Sequence, residues 1–100
     1  MSDKPVTKVS YSWRKLDIFY KDGTEKRIDD TKNKYKTIKE TLDSIKQEVF
    51  DGVSKDEVDF YLVILVVHEQ LLYKKKPYTR VEDYGKFYVD NTTEEVIKLW

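Results

Sequence analysis

The sequence contains no cysteine, one histidine, three glycines and two prolines. Without cysteine there is no disulfide, no thiolate nucleophile and no zinc site built on sulfur. Three glycines leave little material for a phosphate-binding loop, and no G-x-x-x-x-G-K-[ST], G-x-S-x-G or calcium-loop pattern is present. With one histidine, a metal site would have to be built from carboxylates. We therefore expect a protein that is not an enzyme and has no metal and no cofactor.

An excess of charge of one sign and a long apolar run are also missing. Nineteen basic and nineteen acidic residues cancel, so binding to nucleic acid or to an anionic membrane would need a local patch. The longest apolar run, 60–67, has eight residues, whereas a membrane-spanning helix needs about 20. No apolar signal core follows the first residues. These features predict a soluble, cytoplasmic protein without a membrane partner.

The length of 100 residues, with 39% hydrophobic and 14% aromatic content, suits one domain with one core. We expect a flexible lead-in over 1–7 and a single α+β domain over 8–100. The predicted order is an N-terminal β-hairpin, two helices of which the second is central and buried, and C-terminal strands that complete a small antiparallel sheet.

Alternating apolar residues from Val9 to Tyr20 predict the N-terminal hairpin. The alternation changes phase across Arg14-Lys15, which indicates a β-bulge or a boundary between two strands. Lys21-Asp22-Gly23 is typical of a three-residue hairpin loop with its glycine in the left-handed conformation. This loop would place Tyr20 opposite Thr24, Ile18 opposite Lys26, and Leu16 opposite Ile28.

Two segments predict helices. In the first, an apolar stripe with alternating spacings of three and four begins after a cap at Asp30 or Thr31 and ends before Gly52. The stripe consists of Tyr35, Ile38, Leu42, Ile45 and Val49.

The second helix is predicted between Ser54 and Pro77. Ser54-Lys55-Asp56-Glu57 has the form of a capping box, and Lys74-Lys75-Lys76 suits the negative end of a helix dipole. A helix apolar on nearly all sides must be buried on nearly all sides. The alternative is a central strand, because 61–67 is rich in β-branched residues. The length of about twenty residues favours the helix over an ordinary strand.

The C-terminal segment predicts a second hairpin, in which 86–89 pairs with 95–100 across the polar turn 90–93. The alternative is a short terminal helix capped by Thr92 or Thr93. An isolated helix of that length would be marginal in water, which favours the hairpin.

His68 is the candidate for general-base chemistry, but its sequence neighbours offer no nucleophile beside it. We interpret it as structural. The acidic pairs Asp29-Asp30, Glu82-Asp83 and Glu94-Glu95 lie where caps, turns or helix starts place acids, so they predict no acid–base pair.

Eight tyrosines and two tryptophans exceed what so small a core can bury. Because such rings anchor protein interfaces, we hypothesise a small cytosolic protein-interaction module that occludes a larger host protein as a regulator or inhibitor. A lysine-, tyrosine- and aspartate-rich composition is typical of AT-rich bacterial or phage genomes, which suggests a phage-encoded protein. The predicted partner-binding residues are Tyr11, Trp13, Phe19, Tyr88 and Trp100.

The alternative function is nucleic-acid binding through a segment in which four cations alternate with two aromatics. A homodimer that associates through the tyrosine-rich face is a third hypothesis. The predicted nucleic-acid-binding residues are Tyr73, Lys74, Lys75, Lys76, Tyr78 and Arg80.

Overall fold

The computed structural model describes residues 6–31 and 33–100, which form one antiparallel sheet of five strands in the order β2-β1-β3-β4-β5. Within these residues one α-helix packs on the sheet, so the protein is mostly β and the predicted fold with two helices is wrong. Residues 1–5 of the predicted lead-in lie outside the described residues. The elements are β1 (Val6–Tyr20), β2 (Glu25–Asp30), α1 (Ile38–Val49), a 3₁₀-helix (Lys55–Glu57), β3 (Val58–Tyr73), β4 (Lys76–Asp90) and β5 (Val96–Lys98).

The N-terminal hairpin is confirmed in its loop and its register. The N–H of Tyr20 donates to the carbonyl of Thr24 at 2.9 Å, and Gly23 has a φ of 88°. A residue with a Cβ is disfavoured at this φ, which explains the glycine at the end of the loop. The pairs Ile18–Lys26 and Leu16–Ile28 lie opposite each other as predicted.

The phase change in β1 is a β-bulge. Lys15 has a φ of 51°, and the register against β3 shifts between Arg14 and Asp17. The extra residue allows Trp13 and Leu16 to face the core together, although three positions separate them. Both halves of β1 can therefore bury their apolar side chains on one face of the sheet.

The predicted second helix is the central strand β3. Ser54 makes no side-chain capping bond, and the helical turn after it has only three residues. The strand has 16 residues and is paired on both edges, by β1 and by β4, each of which has 15. The length of this segment did not require a helix, because long partner strands supply backbone hydrogen bonds along the whole run.

Lys74, Lys75, Lys76 and Pro77 lie at the end of the β3–β4 hairpin and not at the end of a helix. Lys74 and Lys75 connect β3 to β4 with φ values of 50° and 64°, and Tyr73 pairs with Lys76 across them. Two-residue turns of this hand match the twist of the strands. Pro77 lies in a part of β4 that β5 does not pair, so its missing N–H removes no hydrogen bond from the sheet.

The first predicted helix is confirmed from Ile38 onward, although neither Asp30 nor Thr31 caps it. The cap is Thr37, whose hydroxyl accepts from the N–H of Glu40 at 3.0 Å. Tyr35 precedes the helix and pairs with the backbone of Tyr11 through two hydrogen bonds of 2.7 Å. This pairing holds the start of α1 against the edge of β1.

The C-terminal hairpin is confirmed, and the terminal helix does not form. Val89 lies opposite Val96, and the N–H of Leu99 donates to the carbonyl of Lys86 at 2.7 Å. The carboxylate of Asp90 accepts from the N–H groups of Thr92 and Thr93, which closes the turn.

The two tryptophans provide a test of the core. Trp13 is 3% exposed and Trp100 is 57% exposed. We expect Trp13→Ala to lower the free energy of unfolding by about 3–5 kcal/mol, because it leaves a cavity beneath α1. Trp100→Ala should change it by less than about 0.5 kcal/mol. Urea unfolding followed by circular dichroism measures both, and equal effects of the two variants would contradict this core.

Candidate protein-binding and anion-binding surfaces

Helix α1 covers one face of the sheet, and the other face carries a row of aromatic rings. Phe19 stacks on Phe60 with ring centroids 4.6 Å apart, and Phe60 meets Tyr88 at 5.1 Å. Ile97 lies opposite Tyr88 and extends the row onto β5. We call Phe19, Phe60, Tyr88 and Ile97 the aromatic ladder. It crosses four adjacent strands on the face that α1 leaves open.

Carboxylates surround the aromatic ladder. Asp90 lies opposite Phe60 and accepts a hydrogen bond of 3.2 Å from the hydroxyl of Tyr88. Partial burial raises the pKa of Tyr88, and the Asp90 hydrogen bond and the charges of Asp90, Asp59 and Glu95 raise it further. The N–H groups of Thr93 and Thr92 are among the groups that lower the pKa of Asp90, so its carboxylate stays ionised near neutral pH. The ladder is therefore an apolar surface in a negative potential.

An ion pair crosses the same face next to the ladder. The guanidinium of Arg14 on β1 donates to both carboxylate oxygens of Asp83 on β4, at 3.1 and 2.7 Å. Because β3 runs between these strands, the pair spans it where Ile64 and Val66 are only 5% exposed. The ion pair therefore helps to bury the middle of β3 on the face without a helix.

The structure separates the five predicted partner-binding residues. Phe19 and Tyr88 are half-buried members of the ladder. Trp13 is buried, and its indole N–H donates to Ser44 Oγ at 3.2 Å. Tyr11 is half-buried and pairs with the segment before α1. Trp100 is exposed beyond β5.

Sequence reasoning missed Phe60 and Ile97 as members of the ladder. The predicted helix after Ser54 contains Phe60, because the apolar run 60–67 has no period that distinguishes a strand from a helix. Counting every second residue from Phe60 would have placed it on one face of a strand, together with Leu62.

The apolar surface continues from the ladder to the free edge of β5. Val96, Ile97, Leu99 and Trp100 are each about half exposed, between 45% and 57%. Of these, Ile97 lies on the ladder face, whereas Val96 lies opposite the core residue Val89 on the helix side. The opposite edge strand, β2, reads Glu-Lys-Arg-Ile-Asp-Asp, and charges of this kind protect an edge from pairing with another chain. The edge of β5 is short and carries one charge, Lys98, beside the apolar Val96 and Ile97.

A second surface is the end of the β3–β4 hairpin. Tyr73, Lys74, Lys75, Lys76 and Tyr78, all exposed, gather around its two-residue turn, and we call them the ribbon tip. The Nζ of Lys74 lies 5.4 Å from the ring centroid of Tyr73. The segment 70–78 contains no acidic residue.

Arg80, the sixth predicted nucleic-acid contact, is paired with acidic side chains of β3 and β4. Its guanidinium donates to the carboxylate of Glu69 at 2.6 Å, and the charge of Glu82 lies 3.7 Å away. The hydrogen bond to Glu69 is the main cause of the raised pKa of Arg80. Arg80 is therefore neutralised locally, and the positive charge is concentrated at the lysines.

His68 lies on β3 and not on a helix. Its Nε2 is 2.7 Å from Oγ of Ser12, a residue 56 positions away that sequence reasoning did not connect with it. Within the part of the chain that the structure describes, no carboxylate hydrogen-bonds to this imidazole, so the pair lacks the group that orients a catalytic histidine. Burial and the charge of Lys34 lower the pKa of His68. Ser12 is 8% exposed, which fits a structural hydrogen bond.

Over residues 6–31 and 33–100, no three His, Asp or Glu side chains are grouped so that they could hold a metal ion. In the same ranges no helix is long and apolar enough to cross a bilayer.

In comparisons with known proteins, no family model, no curated protein and no solved structure matches the chain. The function of the protein is therefore inferred from the chemistry of the surfaces described above.

The Arg14–Asp83 pair predicts a dependence of stability on pH. The hydrogen bond from Arg14 holds the pKa of Asp83 below its ordinary value, so the pair stabilises the fold above the unfolded-state pKa of about 3.9. Because both side chains are about one-third exposed, Asp83→Asn should cost about 0.2–1 kcal/mol at pH 7. This difference should shrink as the pH falls through the unfolded-state pKa of about 3.9 and vanish below the lower folded-state pKa, where Asp83 is neutral in both states.

Urea unfolding of the wild-type protein and of Asp83→Asn between these pH values measures the difference. Asp43→Asn is the matched control, because Asp43 is exposed on α1 and forms no salt bridge among the described residues. A difference that stays constant as the pH is lowered from 7 to well below about 3.9 would show that the carboxylate charge is not its source.

Proposed function

We propose that the protein is a small cytoplasmic protein-interaction module that covers and occludes a surface of a larger protein, as a regulator or inhibitor. The binding surface is the aromatic ladder together with the exposed edge of β5. The lysine-, tyrosine- and aspartate-rich composition supports a phage origin, in which case the partner is a host protein.

The observation that carries this proposal is the contiguous row of apolar side chains that runs across the sheet face and onto the edge strand β5. Exposed apolar side chains on a small protein are usually scattered singly, and a contiguous group marks an interaction surface. Here Ile97 lies opposite Tyr88 and connects the stacked rings of the sheet face to the edge strand β5. Stiff aromatic rings supply the contact area at low entropic cost.

The charges around this surface define the chemistry of the partner. Asp90 and Glu95 lie beside the ladder and repel phosphates, which disfavours nucleic acid here. They also repel the same surface of a second copy, which disfavours the homodimer. The expected occupant is a protein surface with an apolar centre and lysine or arginine residues at its rim, since opposite charges at a rim steer and orient association.

Two tyrosines on the same strand test the proposal. Tyr88 belongs to the ladder, whereas Tyr84 is 41% exposed and contacts Phe87 and Lys98, away from the ladder. We expect Tyr88→Ala and Ile97→Lys each to weaken the Kd for the partner at least tenfold, about 1.4 kcal/mol, the scale of an interface hot spot. Tyr84→Ala should bind like the wild-type protein.

Affinity capture from a nuclease-treated bacterial lysate supplies the partner, and calorimetry with the purified partner measures the Kd. Circular dichroism confirms that each variant is folded. A partner that binds Tyr88→Ala and Ile97→Lys with unchanged Kd would overturn the proposal. A wild-type protein that light scattering finds as a dimer, and that Tyr88→Ala converts to a monomer, would assign the ladder to self-association.

The ribbon tip supports a second candidate function, nucleic-acid binding. The specific observation is that the turn gathers three lysines between two exposed tyrosines with no carboxylate in the segment. Lysines can follow a phosphate backbone while aromatic rings stack on bases, and a two-stranded ribbon fits the major groove of DNA. The tip lies on the opposite end of β3 from the ladder, so the two functions do not compete for one surface.

Charge-neutral variants test this second function. Changing Lys74, Lys75 and Lys76 together to Gln should abolish binding to a single-stranded oligonucleotide, as measured by fluorescence anisotropy. If all three lysines contact phosphates, the wild-type log–log salt slope should be about −2. A control that replaces the exposed Lys21, Lys39 and Lys46 by Gln removes the same charge elsewhere. No wild-type binding at low salt, or an equal loss in the control, would exclude the ribbon tip.

A further inference from the structure

A cleft of about 240 Å³ lies between the N-terminal half of β1 and the segment that leads into α1. Lys8 and Ser10 of β1 line one side, and Lys34 and Lys36 line the other. The imidazole of His68 on β3 and the hydroxyl of Thr79 on β4 belong to the same lining. We call this site the lysine cleft.

The lysine cleft concentrates positive charge, and the carboxylate of Glu40 lies at its margin, where it accepts a hydrogen bond of 3.2 Å from the backbone N–H of Lys36. No aspartate or glutamate lines it, and within the described ranges Lys8, Lys34 and Lys36 form no salt bridge. All three arginines of the chain, in contrast, are paired with aspartate or glutamate at 2.6–2.7 Å. Like charges held close together cost free energy unless an anion offsets them. An anionic ligand would remove that cost.

His68 reports the positive potential inside the cleft. After partial burial, the charge of Lys34 is the cause that lowers its pKa. Glu69 and Glu82 lie on the opposite face of the sheet against the guanidinium of Arg80, and Asp83, on the same face as His68, is paired with Arg14. The groups that face the imidazole are therefore Ser12, through its hydrogen bond, and the cations of the cleft.

We propose that the lysine cleft binds the phosphate group of a small molecule. A phosphate carries the charge and the acceptor oxygens that several ammonium groups and hydroxyls recognise together. The volume lies below the range of about 300–1,000 Å³ that is usual for drug-sized ligands. The cleft therefore suits an inorganic phosphate or pyrophosphate, or the phosphate end of a nucleotide whose base remains outside.

The single histidine of the chain makes the site directly observable by NMR, because every imidazole resonance belongs to His68. Inorganic pyrophosphate should shift these resonances saturably. It should also raise the pKa of His68, because a bound anion favours the imidazolium. Sodium chloride at the same ionic strength is the reference, since salt alone screens Lys34. A nucleoside triphosphate and inorganic tripolyphosphate form two further arms. Tighter binding of the nucleoside triphosphate identifies a nucleotide as the source of the phosphate, and equal binding identifies an inorganic phosphate.

Matched variants locate the binding. Lys34→Gln combined with Lys8→Gln should weaken pyrophosphate binding at least tenfold, whereas Lys39→Gln combined with Lys46→Gln removes the same charge from α1 and should leave it unchanged. The ribbon-tip variant of Lys74, Lys75 and Lys76 should also bind pyrophosphate normally, which separates this site from nucleic-acid binding. No shift beyond the chloride reference, or an equal loss in the α1 control, would overturn the proposal.

Discussion

Burial of β3 on both faces is the constraint on which the rest of the structure depends. Val63 and Leu65 point toward α1 and are fully buried, while Ile64 and Val66 point the other way and are 5% exposed. One helix cannot cover both sets, so the second face needs its own cover. The Arg14–Asp83 pair supplies part of that cover, and the stacked rings of Phe19 and Phe60 continue it. Removing water from an apolar strand on two sides stabilises a sheet on which the described part of the chain packs a single α-helix.

This arrangement separates charges that cancel in the composition. Carboxylates of Asp90 and Glu95 lie near the ladder at one end of β3, and the lysines of the turn lie at the other end. The molecule measures 54 Å along its longest axis and 18 Å along its shortest, so the two ends are well beyond the screening length of about 8 Å at physiological salt. Each surface therefore has its own electrostatic character, and a net charge of zero says little about binding.

The candidate surfaces were only partly predictable. Tyr73, Lys74, Lys75, Lys76 and Tyr78 are neighbours in sequence, so any tight turn brings them together, and their grouping did not require the correct secondary structure. The ladder joins strands that are far apart in the chain, and its membership depends on register. The number of aromatic residues predicted that Trp13 is exposed. The bulge at Lys15 instead places Trp13 on the same face as Leu16, beneath α1. A bulge of one residue reverses which face a side chain occupies.

Local pattern alone determined the N-terminal hairpin with its bulge, the helix from Ile38, and the C-terminal hairpin, because each depends on residues close in the chain and on turn chemistry at Gly23 or Asp90. The state of 58–73 was decided by tertiary structure. A uniform apolar run has no period that distinguishes a helix from a strand, and both conformations satisfy its need for burial. Pairing with β1 and β4 along its whole length satisfies its backbone as well, and these partners lie tens of residues away in the sequence. Local propensity does not include this pairing, and the pairing made the central element a strand.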